Sequence, residues 1–96
     1  MIVLTNDQKV AAFQKIVAYI EKNPVWTLRV PIENMVDRGE LHLVEFFFLE
    51  EQIEAEIKAK NAALPEGSAW EHYMFEPFDD FSHIAWCQQK IEQLQA

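Results

Sequence analysis

The sequence predicts an all-α domain: a small bundle of three main helices with one or two short ones. Three observations carry this. Residues 41–64 are free of Gly and Pro and rich in Glu, Gln, Lys, Ala and Leu, all good helix formers. Apolar residues recur at spacings of three and four in residues 6–22, in 41–64 and at the C-terminal end. Only residues 25–30 alternate in a strand-like way, and a lone strand has nothing to pair with. Ninety-six residues, half of them hydrophobic, make one domain spanning 1–96 with enough apolar side chains for a core.

The first helix is expected from about Asn6 to Lys22. Thr5 and Gln8 stand at capping-box spacing, and Asp7 suits the positive end of the helix dipole. Val10, Phe13, Val17 and Ile20 form its buried stripe, with Ile16 beside it. Asn23 and Pro24 end it. Residues 25–30 read as an extended connector that tucks Trp26 and Leu28 into the core; a short hairpin between 25–30 and 41–48, giving an α+β domain, is the alternative. Pro31 suits a first helical position and Gly39 a stop, so a helix of about two turns lies between them.

The stretch from Leu41 to Leu64 dominates the chain. Its stripe is Phe46, Leu49, Ile53, Ile57 and Leu64. Its front is apolar nearly all round, through Leu41, Leu43, Val44, Phe46, Phe47, Phe48 and Leu49. Such a surface needs cover on every side, from its own domain or from a partner. Leu64-Pro65-Glu66-Gly67 makes a turn, Ser68 and Glu71 can cap a short helix over Ala69–Phe75, and Pro77 stops it. Asp79 or Asp80 is expected to cap a last helix whose stripe holds Phe81, Ile84, Ala85, Ile91 and Leu94.

Charge narrows the function. The net charge is −8, and it is unevenly placed: residues 1–38 sum to +1 and residues 39–96 to −9. Phosphate contacts need clustered Lys and Arg, so direct binding to nucleic acid or to an anionic membrane is not expected. A protein with a basic surface is the natural partner. No apolar run approaches the roughly 20 residues that span a bilayer, no signal peptide is expected, and the single cysteine fits a reducing, cytoplasmic setting.

No constellation announces catalysis. Gly39 and Gly67 are the only glycines, so there is no phosphate-cradling loop. His83 and Cys87 share a helix face and are competent metal ligands or a base and nucleophile, but no Cys-x-x-Cys accompanies them and no basic neighbour would activate the thiol. A buried cysteine is more often a small core hydrophobe. His42 and Glu45, three apart, are placed to share a proton or an ion. The expectation is a non-enzymatic protein with no cofactor.

Carboxylates set the binding expectation. Glu40, Glu45, Glu50, Glu51, Glu54 and Glu56 form one run without a base, and Glu66, Glu71, Glu76, Asp79 and Asp80 a second. Spaced carboxylates on a rigid helix imitate a row of phosphates and suit a groove that normally holds nucleic acid; the plain reading is a solvated face with Glu54 and Lys58 paired along the helix. Trp70, Tyr73, Phe75 and Phe78 add interface-type aromatics. The residues predicted to bind are therefore Glu50, Glu51, Glu54, Trp70, Asp79 and Asp80. The general character is that of a stoichiometric regulator: an inhibitor, immunity, antitoxin or phage-type counter-defence protein. Two other functions follow from the same residues: an assembly subunit that oligomerises through 41–49, and a metal or small-ligand domain built on His83 and Cys87.

Overall fold

The computed structural model describes residues 3–64, 76–78 and 81–96. Among these residues the chain forms four α-helices and no strand, the all-α bundle expected. Helix α1 is Asn6–Lys22, α2 is Arg29–Asp37, α3 is Leu43–Ala62 and α4 is His83–Gln95. Helix α1 lies mainly against α4, and touches α2 and α3 less extensively. That unequal packing leaves α3 partly open, which matters for the site described below.

The start of α1 follows from the Thr5–Gln8 pair. The Gln8 N–H donates to Thr5 Oγ1 at 3.2 Å and the Thr5 N–H to Gln8 Oε1 at 2.8 Å, so two amides without helical partners are satisfied reciprocally. Asn23 ends the helix, its backbone N–H and side-chain amide both donating to the Tyr19 carbonyl. Phe13, Ile16 and Ile20 are fully buried. Ala12 is buried beside them, which the large-residue stripe did not include. Phe13 meets Phe48 and Trp86 edge-on, at centroid distances of 5.6 and 5.7 Å.

Helix α2 begins two residues before Pro31, so the proline is its third residue rather than its first. The ring is tolerated because a first-turn residue has no helical acceptor for an N–H. Leu28 enters the core as expected, whereas Trp26 is about half exposed, and the connector continues directly into helix instead of remaining extended to Val30. Gly39 adopts φ +75°, donates to the Val36 carbonyl, and is followed by Glu40 donating to Met35 at 2.8 Å. This is a Schellman ending, whose left-handed residue is best filled by glycine.

Helix α3 is 20 residues long, about 30 Å at helical rise. Leu49, Ile53 and Ile57 are buried and Phe46 is partly so, as the stripe predicted; Leu64 lies beyond the helix end. The stripe of α4 differs from expectation. Phe81 is 62% exposed and Ala85 is exposed, while His83, Trp86 and Cys87 are buried; Ile84, Ile91 and Leu94 pack partly against the core. Trp86 takes the central place because its ring spans the gap between Phe13 and Phe78.

Candidate functional site

The candidate site is the side of α3 turned away from Leu49, Ile53 and Ile57. Helical geometry puts Leu43, Phe47, Glu51, Glu54 and Lys58 there, at spacings of three and four. All five are exposed, Leu43 by 61% and Phe47 by 59%. The face is apolar at its N-terminal end and charged further on.

Glu50 and Glu54 form one edge of this face, and an arginine from another helix reaches both. Arg29 at the start of α2 donates from Nη1 to Glu50 Oε1 at 2.9 Å and from Nη2 to Glu54 Oε1 at 2.6 Å. The guanidinium fork suits two carboxylates one turn apart. Glu54 is thus engaged across the bundle by Arg29, not by Lys58 along its own helix. Its carboxylate remains largely open to solvent, Glu50 less so. Glu51 points to the opposite edge and makes no ion pair among the described residues.

Arg29 is itself placed by a third carboxylate. Glu76 accepts the Leu28 N–H on Oε2 at 2.8 Å and the Arg29 N–H on Oε1 at 2.9 Å. Helix α2 has no side-chain cap from its own N-cap residue Leu28, so Glu76, 48 residues on, supplies it. Neither the Arg29 bridge nor this cap has a local sequence signal, because each joins residues more than 20 positions apart.

Between the front of α3 and the segment leading into α1 runs a groove of two joined parts. One, of about 500 Å³, is lined by Val3, Leu4, Lys9, Val44, Phe47, Phe48 and Glu51. The other, of about 420 Å³, shares Leu4 and Val44 and continues past Gln8, Ala11, Lys15, His42 and Glu45. Glu45 is buried yet fully engaged: both oxygens lie 3.1 Å from Lys15 Nζ, and Oε1 also accepts the His42 N–H at 3.1 Å. Its role is to start α3 and tie it to α1. The expected sharing between His42 and Glu45 is therefore a backbone contact.

His83 and Cys87 make no reactive pair. His83 is fully buried with Nε2 2.6 Å from the Val25 carbonyl, an arrangement in which Nε2 carries the proton and donates, and Nδ1 has no partner among the described residues. Burial pushes the Cys87 thiol up to about 12, so it is protonated at neutral pH and a poor nucleophile and ligand. Among the described residues, no three His, Cys, Asp or Glu side chains cluster as metal ligands would.

Of the predicted binding residues, Glu50, Glu51 and Glu54 stand on α3, the first and last joined by Arg29. Trp70, Asp79 and Asp80 lie outside the described residues, as do the expected Ala69–Phe75 helix, its Ser68–Glu71 cap and most of the second acidic run. No known protein family matches the chain, and neither the curated proteins nor the solved structures contain a match. No helix among the described residues is long and apolar enough to cross a membrane.

Proposed function

We propose that this protein works by stoichiometric, non-catalytic binding to a basic protein surface, in the manner of a regulator or inhibitor, with the acidic edge of α3 as the contact. The observation that supports this reading is the Arg29 fork. Each of Glu50 and Glu54 gives only one oxygen to Arg29 and keeps the other, so two carboxylates are held at fixed separation on a rigid helix before any partner arrives. Pre-ordered side chains lose little rotamer freedom on binding. The three groups together still carry one negative charge, and the surrounding residues 39–96 add a strong negative excess. A Lys or Arg of the partner would complete the network through the second oxygens. A basic groove built for nucleic acid fits such a surface, and the partner set is expected inside the cytoplasm.

The test is capture on the immobilised full chain from an extract of the source organism, eluted by a salt gradient. Basic proteins should be retained and released as salt rises, since screening weakens exposed charge contacts. The E50Q/E54Q chain keeps its helical circular dichroism and should release the same proteins at distinctly lower salt. Identical elution from both chains would overturn the proposal.

A further inference from the structure

The apolar front of α3 lies apart from the acidic edge and carries a different charge pattern. Its groove is balanced: Lys15 is neutralised by Glu45, leaving Lys9 on the α1 wall and Glu51 on the α3 wall. Neither Lys9 nor Glu51 has an ion-pair partner among the described residues; Lys9 sits 5.6 Å over the Phe48 ring. Around them Val3 and Phe47 are 72% and 59% exposed. The polar groups on the groove floor already satisfy one another, so the groove offers apolar contact and two opposite charges on opposing walls.

We propose that a second copy of this chain covers this groove, related by a two-fold axis running along it. A two-fold rotation about that line sets the α1 wall of one copy against the α3 wall of the other. Lys9 then faces the partner's Glu51, and Glu51 faces the partner's Lys9. Phe47 and Val44 pack on the partner's Val3 and Leu4. A strongly basic partner would match one wall and be repelled by Lys9 on the other, whereas a copy of the chain matches both. The net charge of −8 opposes pairing at long range, but at physiological salt that repulsion is screened beyond about 8 Å and the facing pairs are not. This association is independent of the basic partner, because Glu50 and Glu54 lie on the α2 side of α3.

Sedimentation equilibrium of the full chain over a concentration series, at physiological salt, tests it. The expected mass at high concentration is twice the 11.3 kDa of the chain. F47E should leave a monomer with unchanged helical circular dichroism, since that ring is mostly exposed in the single chain. K9E and E51K each place like charges opposite one another twice per dimer and should each weaken pairing roughly tenfold. Mixing the K9E and E51K chains restores opposite charges at both contacts, so the mixture should associate more tightly than either chain alone. A monomer at the highest concentration overturns the proposal. So does a dimer indifferent to F47E, or a mixture that associates no better than its components. Salt-dependent capture of basic proteins by the F47E chain reports separately on the acidic edge.

Discussion

Replacing Glu76 by Ala removes the cap of α2 from a distance, and the size of the loss can be worked out. The carboxylate accepts two backbone N–H groups at 2.8 and 2.9 Å, at the N-cap and first helical residue. Hydrogen bonds to charged groups contribute about 1.5–3 kcal/mol each, and loss of a good N-cap costs about 0.5–2 kcal/mol. Arg29 is near enough to solvent for water to replace part of its bond, while Leu28 is fully buried. The net cost should be about 3 kcal/mol, against a typical total of about 5–15 kcal/mol. The melting temperature should fall by roughly 12–20 °C for a domain of this size. Urea unfolding followed by helical circular dichroism measures it, with E76Q expected between E76A and wild type, since Glu76 uses a separate oxygen for each bond and the amide offers one oxygen and a donor-only NH2. A loss below about 1 kcal/mol for E76A would show that Glu76 does not hold α2.

Three further substitutions probe other links. G39A meets no atom within 4 Å, so its cost comes only from the φ of +75° and should be about 1 kcal/mol in the same unfolding assay. F13A empties the centre of the core, where the ring touches Phe48 and Trp86, and should cost about 3–5 kcal/mol. Cys87 gives an alkaline signature. Its folded pKa of about 12 lies above the reference of 9.0, so the unfolded thiol ionises first. The stabilisation is complete below pH 9 and is lost as pH rises from 9 towards 12, by about 1.4 kcal/mol per pH unit. Stability measured on wild type and C87A should therefore converge over that window, and parallel curves would contradict the burial argument.

The parts of the fold that were legible in the sequence rest on local rules. The limits of α1 follow from Thr5, Gln8, Asn23 and Pro24, all within a turn of the helix ends they define. The stripe of α3 and the Gly39 stop follow equally from spacing and backbone sterics. What escaped the sequence is tertiary. Nothing near Pro31 says that α2 starts at Arg29, because the cap that allows it is Glu76. Spacing alone also favoured Phe81 over Trp86 for the α4 stripe. The choice depends on which ring can reach both Phe13 and Phe78, a fact of packing between α1 and α4. Likewise the run of glutamates on α3 lacked a base in sequence, yet Arg29 and Lys15 meet three of them from helices folded alongside.

The apolar front of α3 joins the local and tertiary levels. Its pattern required cover on every side, and its own domain covers only part: Leu41 and Leu49 are buried, Val44, Phe46 and Phe48 are half-buried, and Leu43 and Phe47 are open. Leaving two large apolar side chains in water on one helix face forfeits about 1.5–3 kcal/mol for each that could have been buried. The neighbouring positions were available for a different solution, since Glu51 and Glu54 continue the same face with charge. In the proposed pairing, Phe47 is the large apolar side chain of this face that a second copy covers. The same proposed pairing uses the opposite charges of Lys9 and Glu51, on either side of the groove they border, because half a revolution brings each against the other.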